Sequence, residues 1–162
     1  MGTLEVIFAT IVDEFSDLND IENATRVTTR LVLAAILGGI LGFEREQQGK
    51  AAGIRTHMLV CLGAALFVVA ADQSVFGDDA MSRVTQGVIQ GIGFLCAGTI
   101  IKGESLSNVR GLTTAAGLWF TAAIGVAVGM GNEATALVST FLALVVLHVL
   151  PLMIRKKDSD AP

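Results

Sequence analysis

Tyrosine is absent from this chain, tryptophan occurs once, and cysteine and proline occur twice each in 162 residues. Two cysteines cannot build the disulfide framework that staples small secreted domains. Cys61 and Cys96 both fall inside apolar runs, and two thiols alone make a poor metal site, so small buried packing residues are expected there. No Pro- or Ser-rich linker divides the chain, so one domain is expected. Nor is there a Walker loop after a strand, a nucleophile elbow, a zinc spacing or a basic stripe. Catalysis, a cofactor, a bound metal and nucleic-acid binding therefore have no sequence support.

Charged residues make up only 16% of the chain, against 52% hydrophobic residues, and mean hydropathy is +0.67. That balance belongs to a bilayer rather than to water. The charges cluster in the first part of the chain, in short connecting segments and at the C-terminus. Between them lie five apolar windows, near 27–43, 54–71, 84–101, 112–130 and 133–154, each close to the roughly 20 residues needed to cross hydrocarbon. Continuous rather than alternating apolar runs argue for helices over a β-barrel. The expected fold is thus an all-α integral membrane domain of five transmembrane helices over 26–154, with an N-terminal segment 1–25 and a basic, polar tail 155–162.

Orientation follows from Lys and Arg rather than from the net charge of −4. Arg45, Lys50, Arg55, Lys102, Arg110, Arg155, Lys156 and Lys157 fall on one side, Arg26, Arg30 and Arg83 on the other. The richer side is cytoplasmic, giving N-terminus out and C-terminus in. The opening MGTLEVIFATIVDEF lacks the basic start of a signal peptide. Leu4, Ile7, Phe8, Ile11, Val12, Phe15 and Leu18 recur at helical spacing, which reads as an amphipathic interfacial helix, with a disordered acidic leader as the alternative.

Arg30 is followed by Gly38 and Arg83 by Gly91 at the same interval, and each unit reaches a charged loop and an arginine, Arg55 or Arg110, that opens the next window. A direct repeat of two helical hairpins plus a fifth helix is the corresponding reading, against chance similarity of Gly-rich helices. Gly38 and Gly42, Gly87 and Gly91, and Gly125 and Gly129 form small-xxx-small pairs that predict close helix contact, within the monomer or in a homo-oligomer.

The stretch GFEREQQGKAAGIRTH, residues 42–57, holds six ionisable side chains between two apolar runs. Glu44, Arg45 and Glu46 close one helix, while Arg55, Thr56 and His57 open the next. Ion pairing across this hairpin is expected, because charge near hydrocarbon is costly unless paired or hydrated. Lys102, Glu104 and Arg110, followed by Thr113 and Thr114, offer a second set that a single network could include. Such a network either staples helix ends or forms a polar vestibule for an ion, a proton or a partner, and Glu44 is the acid placed to decide. Gln86 and Gln90, one turn apart, need partners in hydrocarbon, either interhelical or along a polar pathway. Trp119 is expected in the packed core, and His148, ahead of Pro151, near a kinked helix end. Asp72, Asp78, Asp79 and Glu133 offer hard oxygens for a divalent cation or are ordinary loop acids.

The ordered motifs GFERE, AGIRTH, GIGFLCAGTI and VRGLTTAAGLWFTAAIG closely resemble the MgtC/SapB family of bacterial inner-membrane proteins over roughly residues 30–130. The resemblance implies five spans, adaptation to low magnesium or acid stress, and action on a membrane partner such as the F-type ATP synthase rather than carriage of Mg²⁺. Its motif positions here are Glu44, Arg45, Glu46, Gly53, Arg55, Thr56, His57, Gly91, Gly93, Gly98, Arg110, Gly111, Thr113, Thr114 and Trp119. Cys96 stands where the motif has glycine. The sequence stops just past the fifth window, so a function resting on the soluble C-terminal domain of better-known members is not expected of it.

Overall fold

A computed structural model of the chain describes residues 2–16, 20–72, 77–102 and 109–149. The readings of Leu18, Glu104, Pro151 and the tail with Arg155, Lys156 and Lys157 fall outside the described residues, as do those of the Asp78 and Lys102 side chains. Helices α1 (Thr3–Glu14), α2 (Ile21–Gln47), α3 (Ile54–Asp72), α4 (Gly77–Thr99), α5 (Leu112–Gly129) and α6 (Glu133–Leu144) follow in order, α6 running into a π-helical turn over Val145–Val149. The described residues are thus helical apart from connections and one antiparallel pairing, Ile101 with Arg110 and Lys102 with Val109.

Helices α2, α3 and α5 are long and apolar enough to cross a membrane. They coincide with the windows at 27–43, 54–71 and 112–130. The window at 84–101 is helical within α4, but Arg83 and the two glutamines dilute its hydropathy, and the window at 133–154 holds a shorter apolar helix, Glu133–His148. One boundary moves. Asp20 caps α2 by accepting the Glu22 N–H at 3.2 Å, so this helix starts five residues ahead of the expected domain edge at 26. Residues 3–14 form a helix whose apolar side chains all stay exposed.

Sharp chain reversals explain why α2 and α5 pack antiparallel to their successors. Gly131, at φ +79°, donates to the Val128 carbonyl at 2.9 Å while Asn132 donates to that of Ala127 at 2.9 Å. Those two bonds satisfy the last carbonyls of α5 in a geometry that a Cβ at Gly131 would strain. Gly49, at φ +65°, does the same for α2, with Lys50 donating to the Arg45 carbonyl.

Helix α5 sits at the centre, touching α2, α3, α4 and α6. Ala34, Leu37 and Leu41 of α2, Cys61 and Ala65 of α3, Ile124 and Val128 of α5 and Ala136 of α6 form one buried cluster. Cys61 and Cys96 are both buried free thiols. Small residues bring these helices close, as a Cβ added at Gly38 would lie 2.6 Å from the His57 carbonyl oxygen, and one at Gly42 2.6 Å from the Ile54 Cα. Gly125 and Gly129 fit as tightly against α3.

Helix α4 packs differently. A Cβ at Gly87, Gly91, Gly93 or Gly98 would meet nothing within 4 Å, which corrects the expectation of close packing there inside the monomer. Gly87 and Gly91, with Gly63, wall a gap of about 550 Å³ between α3 and α4, and Gly93 and Gly98 are exposed. The repeat therefore does not extend to packing, since Gly38 is tightly enclosed and Gly91 is open.

Candidate functional site

The last turns of α2 carry Glu44 and Arg45 to the end of the bundle where α3 and α5 begin and the π-helical turn lies. Arg45 donates through Nε to Glu44 Oε2 and through Nη2 to Oε1, the latter at 2.6 Å. Both side chains are nearly closed off from solvent, at 3% and 10% exposure. Arg45 Nη2 also donates to the Leu147 carbonyl at 3.3 Å. That bond ties α2 to the π-helical turn after α6.

His148 Nδ1 lies 3.9 Å from Glu44 Oε1. Glu44, His148, Gln47 and Gln48 wall a pocket of about 390 Å³ between the end of α2 and the π-helical turn. The neighbouring acid does other work. Glu46 Oε2 accepts the Ile54 N–H at 2.9 Å, capping the first turn of α3 across the hairpin.

His57 lies inside the bundle rather than at its rim. It is fully buried, and its Nδ1 is 2.8 Å from Thr121 Oγ1, whose hydroxyl donates to the Gly117 carbonyl at 2.8 Å. Because the threonine proton is used on that carbonyl, Nδ1 carries the imidazole proton and Nε2 is left as an acceptor. Nε2 is buried without a partner. The ring forms part of the wall of an apolar cavity of about 440 Å³ with Leu41, Thr113, Gly117 and Phe120. Thr121→Val removes the acceptor for the Nδ1 proton, and the expected result is a loss of about 1–3 kcal/mol of stability, read as a lower melting temperature in detergent.

The expected single network does not form among the described residues. Arg55, Arg110 and Thr113 are exposed and Thr56 is partly covered, whereas Thr114 is buried. Among the described residues neither arginine makes an ion pair, while both oxygens of Glu44 accept from Arg45 and an oxygen of Glu46 accepts from Ile54. Gln86 and Gln90 are exposed along α4. Trp119 is 46% exposed beside a gap of about 120 Å³ between α4 and α5, which corrects its placement in the core.

Sequence reasoning missed Thr121 and the Leu147 carbonyl. It also missed the cluster at the other end of the bundle. There Arg30 Nη1 donates to the Gly129 carbonyl at 2.9 Å and to Asp72 at 3.4 Å, with Glu133 3.9 Å from its Nε. Asp72 and Glu133, considered as cation ligands, are thereby counter-ions to a guanidinium that fastens α2 to α3, α5 and α6.

Apolar helices closing around a carboxylate–guanidinium pair at one end and an arginine clamp at the other define a helical membrane domain. The family model described as the MgtC family matches residues 31–156, and the chain belongs to that family. It is 42% identical over 129 residues to protein SrpB of Synechococcus elongatus, covering 73% of this chain and 71% of that one. Identity to the putative magnesium transporter YhiD of Escherichia coli K12 is 41% over 127 residues, 74% of this chain and 58% of YhiD. Protein MgtC of Brucella abortus is 46% identical over 128 residues, 79% of this chain and 52% of its own length. The chain thus spans little more than half the length of YhiD and of that MgtC. No solved structure matches it.

Proposed function

We propose that this chain is a multi-pass protein of the bacterial inner membrane that regulates magnesium and proton homeostasis, in adaptation to low magnesium or acid, through a membrane partner such as the F-type ATP synthase. In this reading α2 to α6 supply five spans, with the N-terminus outside and the Glu44–Arg45 end in the cytoplasm. It is not an enzyme and needs no cofactor. Support for the orientation comes from Arg45, Arg55 and Arg110, which the antiparallel order of the helices gathers at one end.

The observation that carries the reading is the buried Glu44–Arg45 pair facing a pocket open at that end. A charge pair enclosed beside hydrocarbon is retained at some expense of stability, which is typical of functional positions in membrane helices. A small transporter or channel is the second reading, favoured by the name of the relative YhiD. Against it stands the apolar cluster of Leu37, Cys61, Ala65, Ile124 and Val128, which separates the polar end from the Arg30 end. Regulation through a partner needs no path through that cluster.

Glu44→Gln keeps the shape of the side chain and removes its charge. In cells depending on this chain for growth at low magnesium, the variant is expected to reach normal membrane levels and to lose at least about tenfold in complementation, a loss of the size that severing one charge pair brings. Full complementation by Glu44→Gln, or a loss that tracks protein level, refutes the functional site. Proteoliposomes carrying the native chain are expected to be electrically silent, and a magnesium-dependent current lost in Glu44→Gln selects the transporter instead.

A further inference from the structure

Thr113, Gly117 and Thr121 recur at four-residue spacing and so lie along one face of α5. The His57 ring stands against this face, with Nδ1 2.8 Å from Thr121 Oγ1, and a Cβ at Gly117 would lie 3.7 Å from its Cε1. Beyond Cε1 the next ring atom is Nε2, on the side away from Thr121. Gly117 walls the apolar cavity bounded by α5 and α6 and Thr121 does not, so the Cε1–Nε2 edge is the part of the ring turned to that cavity.

Nε2 is an acceptor, because the imidazole proton sits on Nδ1, and it is buried without a partner. Native interiors rarely leave such an atom unpaired. Among the described residues the only other polar side chain in the wall is that of Thr113. A water molecule would find few of the two to four polar partners that hold one in a buried site. At about 440 Å³ the cavity instead falls within the range of small-molecule sites, roughly 300–1,000 Å³, which combine an apolar wall with a few placed polar groups. Besides Thr113, the lining residues that reach the outside are Ala116, Phe120, Leu142 and Val146. Since α5 is long and apolar enough to cross a membrane, this apolar opening faces hydrocarbon, and a ligand enters it from the lipid.

We infer that this cavity binds a lipid-soluble alcohol or phenol, an apolar body carrying a hydroxyl that donates its proton to His57 Nε2. Three features select that chemistry. The ligand must supply a donor, because Nε2 in this tautomer can only accept. Its remainder must be apolar, to match Leu41, Phe120, Ala143 and Val146 in the wall. It must also be uncharged, because the wall holds no charged side chain among the described residues to offset the desolvation of an ion. An ether of the same shape would fill the space and leave Nε2 unpaired. The inference rests on the reading that α5 and α6 lie in the bilayer, and on no role of the Glu44–Arg45 pair, which is not part of this wall.

The test follows the ring nitrogens by NMR in the full chain, isotope-labelled at its two histidines and held in nanodiscs. It is titrated with para-butylphenol and, separately, with para-butylanisole, the methyl ether that lacks the donor. The His57 Nε2 resonance is expected to be that of an unprotonated nitrogen and to move saturably with the phenol. The ether is expected to bind at least about tenfold more weakly, the equivalent of one buried hydrogen bond, and to leave that resonance in place. Gly117→Leu puts its Cβ at ordinary contact distance from Cε1 and its branched end in the cavity, so this variant is expected to fold and to lose the response. The comparison of phenol with ether is made on the native chain and decides the matter even where the variant does not fold. A protonated Nε2, a resonance unmoved by the phenol or moved equally by the ether, a linear response of the kind partitioning into lipid gives, or a response kept in folded Gly117→Leu would each overturn the proposal.

Discussion

Replacing Arg45 with methionine is expected to lower the stability of the chain by about 3–5 kcal/mol, the usual penalty for removing one partner of an enclosed ion pair. In a thermal melt in detergent this is a fall of roughly 10 °C for a domain of this size. Two losses combine, because the substitution takes the guanidinium from the enclosed Glu44 carboxylate, leaving His148 at 3.9 Å as its nearest basic group, and removes the donor on the Leu147 carbonyl. Methionine preserves most of the apolar stem, so the loss reports charge and hydrogen bonding rather than volume. Adding Glu44→Gln to Arg45→Met removes the orphaned charge and is expected to recover more than half of the stability. Function should not return with it. A double variant restored in both stability and growth at low magnesium would make the pair a staple, and an Arg45→Met single variant that melts like the native chain would show that the pair is not enclosed.

The spans of α2, α3 and α5 were legible because each holds a long, predominantly apolar stretch with few charges, and length against hydrocarbon thickness is a strong constraint. The partners inside the polar site were not. Helix periodicity directs attention to residues three and four apart, so ion pairing was expected across the hairpin, between the end holding Glu44, Arg45 and Glu46 and the start holding Arg55 and His57, rather than between Arg45 and Glu44 beside it. His57 was placed at the rim because it follows Arg55 by two residues, yet two residues are rather more than half a turn. That rotation carries it from the exposed side of α3 to the side that Gly38 and Gly42 let α2 approach. Which backbone carbonyls would need a side-chain donor was not readable from the sequence. What meets them depends on how α6 lies over α2, and no local pattern encodes that.

The glycines separate pattern from environment most directly. Gly38 and Gly42 have the same spacing as Gly87 and Gly91, and a sequence can state only that a face is small, not what lies opposite. Gly38→Ala is expected to destabilise the chain by about 2–3 kcal/mol or more, at the upper end of overpacking penalties. Its Cβ would sit 2.6 Å from the His57 carbonyl oxygen and 2.8 Å from the Cys61 Cβ. Neither neighbour is the end of a flexible side chain, so relief requires α2 to move off α3 and to loosen the enclosure of His57. Gly87→Ala and Gly91→Ala meet open space and are expected to be neutral, or to stabilise by up to about 1 kcal/mol through helix propensity alone. Melts of the three variants in one detergent check both halves of the prediction. Equal losses at Gly38 and Gly91 would mean that α4 is packed as tightly as α2, and the two hairpins would then be equivalent in structure as well as in sequence. Unequal losses make α2, α3 and α5 the rigid part that holds the Glu44–Arg45 pair in place, with α4 packed more loosely beside them.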